Sequence, residues 1–106
     1  MIMEQATMCE GIKGLLPLNE TIVFSITKGK VFCFTSFDSV SERSSIYHSW
    51  FNRDDLSTRI RLYLKPPRWS TYSSIKLREA DKGPWRVEIT DNKGVLLHVL
   101  RFSVTD

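Results

Sequence analysis

The chain has 106 residues, 42% of them apolar and 25% charged, which excludes disorder and fibrous repeats. It fits one domain over residues 1–106 that would bury roughly 65% of the surface its unfolded chain exposes. Fifteen Lys and Arg against twelve Asp and Glu leave a net charge of +3, too small to argue for nucleic acid as a general partner.

Taken in chain order, Thr7 to Gly14 reads as a first strand and Leu15 to Thr27 as a longer connection through Pro17. Residues 1–29 are the less regular part. From Lys30 onwards period-two alternation dominates, and no segment carries a helical stripe. Val31 to Phe37 and Ser45 to Arg53 are rich in aromatic and β-branched residues and read as strands, with a polar loop from Ser39 to Ser44 between them. Ile60, Leu62 and Leu64 alternate with Arg59, Arg61, Tyr63 and Lys65, which is a half-buried strand. Pro66-Pro67 stops it, because proline cannot donate to a ladder. Ile75 and Leu77 alternate with Lys76 and Arg78. After a break at Asp81-Lys82-Gly83-Pro84, Trp85, Val87 and Ile89 alternate with Arg86, Glu88 and Thr90. Asp91-Asn92-Lys93-Gly94 is a hairpin turn in which Gly94 takes the left-handed conformation. Val95 to Val104 is apolar on both faces along much of its length, which suggests a central strand with a bulge that changes its inward face.

About seven short strands separated by turns predict an all-β, antiparallel two-sheet sandwich, immunoglobulin-like in general form. A small closed barrel is the alternative. No apolar run approaches the ~18–20 residues of a membrane-spanning helix. Met1 to Glu10 lacks the basic start and apolar stretch of a secretory leader. The chain is therefore expected to be soluble as written: cytoplasmic if it is the whole protein, extracytoplasmic if cut from a membrane-anchored one. Cys9 and Cys33 are read as two separate buried thiols in preference to a disulfide. Neither they nor His48 and His98 have metal-site spacing, and no cofactor is expected.

The charge is unevenly placed. Leu56 to Arg78 holds six basic side chains and no acidic one, so the rest of the chain carries nine basic against twelve acidic residues. If Ile60, Leu62 and Leu64 face the core, then Arg59, Arg61, Tyr63 and Lys65 share the other face. Pairing of that strand with Ser45 to Arg53 would bring Tyr47, Phe51 and Arg53 beside them. Such a face has chemistry suited to phosphate, sulfate or uronate groups. The competing explanation is a solvated edge strand whose charges discourage aggregation.

Two further groups stand out. Arg68-Trp69, followed by Ser70, Thr71, Ser73 and Ser74, could bind an anion or stack on a sugar. Its plainer role is a loop in which Trp69 covers the end of the sandwich. His48 and Trp50 lie two apart on one strand face, as a pocket donor beside an aromatic wall or, more plainly, as a core Trp with a hydrogen-bonded His at its edge. Catalysis has little support. No Gly-x-Ser-x-Gly elbow or glycine-rich phosphate loop is present, and a His48-based hydrolase or isomerase would require His48 to be exposed in a cleft.

The order of several pieces resembles a known bacterial family. They are Val31-Phe32-Cys33-Phe34-Thr35, Tyr47-His48-Ser49-Trp50, Arg68-Trp69-Ser70-Thr71-Tyr72-Ser73, Gly83-Pro84-Trp85-Arg86-Val87-Glu88-Ile89-Thr90-Asp91, and Gly94-Val95-Leu96-Leu97 with Phe102-Ser103-Val104. This succession is similar to the bacterial domain-of-unknown-function family numbered twenty-nine fourteen, over nearly all of Val31 to Val104. Ser49, Phe51 and Pro84 depart from its pattern. The resemblance implies a small β module, of a kind often attached to other segments such as membrane-spanning ones, and carries over no catalytic residue. The expected role is a non-catalytic interaction or ligand-binding module for an anionic polymer, glycan or protein partner. Its candidate contacts are Arg59, Arg61, Tyr63, Arg68, Trp69 and His48. The alternative is a structural accessory domain packing on a neighbouring domain or subunit.

Overall fold

The computed structural model describes residues 1–106. Nine strands form two sheets packed face to face: β1 (Ile2–Lys13), β2 (Leu16–Glu20), β3 (Val23–Ser25), β4 (Lys30–Asp38), β5 (Ser44–Asn52), β6 (Asp55–Leu64), β7 (Trp69–Lys76), β8 (Gly83–Asp91) and β9 (Leu96–Thr105). One sheet has the order β2-β1-β4-β7 and the other β3-β9-β8-β5-β6. All pairings are antiparallel except that of β3 with β9. The all-β, two-sheet expectation holds, with nine strands in place of seven.

The differences have local causes. Residues 15–27 are not one connection but hold β2 and β3. The β1–β2 turn places both Gly14 and Leu15 at positive φ, 58° and 54°. A leucine rarely adopts that conformation, so the hairpin carries no Asn-Gly-type signature. Pro17 is tolerated because β2 is an edge strand. The Arg68-to-Ser74 segment is also not a loop: β7 begins at Trp69 and pairs with β4 from Phe37↔Trp69 to Lys30↔Lys76. Its inward side is Trp69, Thr71, Ser73 and Ile75, so hydroxyls at core positions mask the alternation that marks a strand.

The hairpin turn at Asp91–Gly94 forms as expected. Gly94 has φ 84°, and the Asp91 carboxylate accepts from the backbone N–H groups of Lys93 and Val95 at 2.8 and 2.9 Å. The β8–β9 register shifts between Ile89 and Thr90, which reverses the inward face along β9. β9 is central only near its end, since β3 covers Ser103 to Thr105 alone and leaves Leu96 and Leu97 exposed.

The core is aromatic. Trp50 and Trp85 are buried, and both rings meet Phe102 at centroid distances of 5.9 Å; Phe24 meets it edge-on at 5.5 Å. The Trp85 indole N–H donates to the Asp81 carbonyl at 2.6 Å, so its polar end is satisfied. Cys9 and Cys33 are free and buried. Met8 lies opposite Cys33 and Cys9 opposite Phe32, so the two thiols point to opposite faces of one sheet and cannot be bridged. Burial pushes both thiol pKa values up, which keeps them protonated and inert.

Candidate interaction surface

The outer face of the five-stranded sheet is built by parity. Ile46, His48 and Trp50 of β5 point inward, so Ser45, Tyr47, Ser49 and Phe51 point outward. Register then places Tyr63 opposite Ser45, Arg61 opposite Tyr47 and Arg59 opposite Ser49. On the other flank Thr90, Glu88 and Arg86 lie opposite Tyr47, Ser49 and Phe51. Arg59, Arg61 and Tyr63 therefore share one face with Tyr47 and Phe51. The pairing of β6 with β5 expected from the sequence is present.

Cations cover the rings on this face. Arg59 Cζ lies 4.2 Å from the centroid of Tyr47, Arg86 Cζ 4.1 Å from Phe51, and Arg61 Cζ 5.2 Å from Tyr63. Stacking of this kind keeps a guanidinium flat while its N–H edges stay free for an acceptor. Arg86 uses those edges internally, donating to Glu88 at 2.9 Å and to the Arg53 carbonyl at 2.9 Å. Arg59 and Arg61 form no salt bridge. β6 is an edge strand, and Tyr63 is 65% exposed.

The six basic residues of the central block do not converge. Arg59 and Arg61 lie on the outer face of the five-stranded sheet, whereas Lys76 lies in the other sheet, opposite Lys30. Arg78 pairs with Asp81 at 3.5 Å. Trp69 opens β7 and Arg68 immediately precedes it, held by Glu4 at 2.9 Å and Asp38 at 3.6 Å. Those carboxylates raise its pKa further, the hydrogen bond it donates to Glu4 most of all. Trp69 is half-buried against the core, with Lys65 Nζ 5.3 Å from its ring. Arg68 and Trp69 thus stand in the other sheet from Arg59, Arg61 and Tyr63.

His48 stands apart from both groups. It is 0% exposed and bridges the sheets: Nδ1 lies 2.6 Å from Ser73 Oγ and Nε2 3.2 Å from Thr35 Oγ1. The Trp50 indole N–H donates to the same Ser73 oxygen at 3.1 Å. The set closes if Ser73 donates its proton to Nδ1 and Nε2–H donates to Thr35, which leaves a neutral imidazole with both nitrogens satisfied. Burial lowers the His48 pKa to about 4. His48 lines none of the surface depressions. No group of three metal-ligating side chains is present, and no helix is long and apolar enough to cross a membrane.

A protein-family model described as "Protein of unknown function (DUF2914)" matches residues 43–104, more than half of the chain. The chain belongs to this family. The DUF2914 match begins just before β5 and ends within β9, so it contains His48, Trp50, the basic strand β6, Arg68-Trp69 and the aromatic core of β8 and β9. The aromatic strand β4, which the resemblance included, precedes the matched residues. No curated protein matches the chain.

Sequence reasoning missed two contributors to the outer face. Arg43 lies in the polar loop just before β5, and Asn92 sits in the β8–β9 turn; both border a depression with Arg61 and Tyr63. The turn signature at Asp91–Gly94 was the one signal that could have pointed to Asn92.

Proposed function

We propose that this DUF2914 protein is a non-catalytic interaction module that recognises an anionic polymer or glycan through the outer face of its five-stranded sheet. The observation that carries the reading is the pair of arginines, Arg59 and Arg61, held against Tyr47 and Tyr63 with no carboxylate partner. A purely solvated edge strand needs charge but has no need to order its guanidinium groups over neighbouring rings. One face of each ring is occupied by an arginine, which favours acceptor oxygens over stacked nucleobases as the recognised groups. The immunoglobulin-like reading of the scaffold is supported by the chain's course. It crosses from β4 to β5, returns from β6 to β7 and crosses again to β8, with a buried Trp50 on the interior strand β5. A His48-based hydrolase or isomerase is not proposed, because His48 is sealed between the sheets with both nitrogens occupied.

Titration with a sulfated polysaccharide, polygalacturonate and a single-stranded oligonucleotide at low salt, followed by amide shifts, tests this reading. Shifts at Tyr47, Arg59, Arg61 and Tyr63 with the polysaccharides are expected. No response at millimolar repeat units removes the anionic-ligand reading.

A specific observation favours the accessory-domain alternative as a second reading. Leu16 and Leu18 on edge strand β2 are 64% and 47% exposed, beside an outer face that carries Phe32 and Tyr72. On that reading the four-stranded sheet packs on a neighbouring domain or subunit. Sedimentation across a concentration series checks its self-association form, in which mass rises with concentration.

A further inference from the structure

We propose that the depression between the start of β5, the middle of β6 and the β8–β9 turn binds a small group bearing an oxyanion: a sulfate, phosphate or carboxylate. The proposal rests on the reading of this sheet face as the recognition surface and assigns a ligand chemistry to one place on it. The depression has a volume of about 320 Å³ and is lined by Arg43, Ser44, Ser45, Arg61, Tyr63 and Asn92. That lies at the lower end of the roughly 300–1,000 Å³ of small-ligand sites. Every lining side chain carries a hydrogen-bond donor, and none is a carboxylate.

Register explains why these residues meet. Tyr63 is opposite Ser45 and Arg61 opposite Tyr47, while Asp91 is opposite Ile46, which brings Asn92 beside the start of β5. Asp91, the acid next to Asn92, is spent on the backbone N–H groups of its own turn, and those bonds fix the loop that presents Asn92. Arg68, Arg78 and Arg86 each have a carboxylate partner; Arg43 and Arg61 have none. Two guanidinium groups, an amide and three hydroxyls therefore border one space with no carboxylate in its own lining, while Glu42 and Asp91 line the adjoining depression that shares Ser44, Ser45 and Asn92. Planar guanidinium forks suit oxyanions, and the Tyr63 ring helps to orient that of Arg61.

The larger depression, about 430 Å³ at Arg53, Asp54, Pro84, Trp85, Arg86 and Arg101, differs in this respect. Asp54 lines it, and Arg86 is already bonded to Glu88 and lies 3.5 Å from Asp54. Part of its positive charge is met internally.

The test titrates the full chain with sodium sulfate, phosphate and acetate at constant ionic strength and follows amide and arginine side-chain signals by NMR. Saturable shifts at Ser44, Ser45, Asn92 and the Arg43 and Arg61 side chains are expected, and the order of the three anions identifies the preferred chemistry. Arg43→Gln, checked as folded by its amide spectrum, should weaken the tightest anion about tenfold. Lys76→Gln, in the other sheet, should change it less than about twofold. Non-saturating shifts, shifts spread equally over Arg53 and Arg101, or indifference to Arg43→Gln overturn the site. Polysaccharide binding that is lost in an Arg59→Ala/Arg61→Ala double variant but untouched by Arg43→Gln overturns the pocket alone. Saturable, Arg43-dependent sulfate binding without any polysaccharide binding overturns the polymer reading alone.

Discussion

The polar seam between the sheets and the cationic outer face meet on β5, where His48 and Trp50 alternate with Tyr47 and Phe51, yet the two regions use their donors in opposite ways. In the seam, His48, Thr35, Ser73 and the Trp50 indole spend their hydrogen-bonding groups on one another. On the outer face, Arg59 and Arg61 stack on rings and keep their N–H edges free. Donors spent inside the protein contribute stability, because an unpaired buried polar group is costly. Donors left unspent at the surface contribute little to stability and suit recognition. Exposure alone does not separate the two classes: Arg68 is exposed, but its guanidinium is committed to Glu4 and Asp38.

The largest expected effect lies in the seam. His48→Ala removes a buried ring and orphans Ser73 and Thr35, so a loss of about 3–4 kcal/mol is expected in urea unfolding. Ser73→Ala leaves the ring and removes the shared partner of His48 and Trp50, for a loss of about 2–3 kcal/mol. Anion binding by the remaining folded molecules should not change in either variant. A change there would mean that seam and face are coupled.

Acid sharpens the same contrast. The folded His48 pKa of about 4 lies below its unfolded value of about 6.5, so the unfolded chain binds the proton more readily. The stability associated with a neutral His48 is fully present above about pH 6.5 and is lost progressively as pH falls towards 4. It amounts to roughly 3 kcal/mol. Unfolding free energies measured between pH 7 and 4 should fall in wild type. After correction for the mean effect of the carboxylates, they should fall less in His48→Phe. An equal slope in both would remove His48 as the cause.

On the outer face the stability effects should be small. Arg59→Ala with Arg61→Ala should change unfolding free energy by less than about 1 kcal/mol. Polysaccharide affinity should drop at least about tenfold and lose part of its salt dependence. A large stability loss without a change in affinity would place these arginines in the structural class with Arg68.

The half-buried strands were legible because one face is apolar and the other polar: β5, β6 and β8 follow their alternation, and Arg59, Arg61 and Tyr63 share a face by parity alone. The start of β7 was hidden because Thr71 and Ser73 occupy inward positions, whereas its end was read from the alternation of Ile75 and Lys76; the purpose of Ser73 becomes visible only when His48 is placed across from it. β2 was hidden by a turn with Leu15 at positive φ. The separation of the basic block could not be read because it depends on strand order, and the Glu4–Arg68 pair joins residues 64 positions apart in the chain. Arg43 and Asn92 lie at a loop and a turn, where no periodicity indicates direction.

The measurement closest to the central claim is residue-resolved NMR titration with a sulfated polysaccharide at low and high salt. Salt-sensitive, saturable shifts clustered at Tyr47, Arg59, Arg61 and Tyr63, with the Arg68–Trp69 segment of the other sheet unmoved, are the expected result. Shifts centred on Arg68 and Trp69, or none at millimolar repeat units in low salt, would contradict the assignment of the outer face of the five-stranded sheet as the recognition surface.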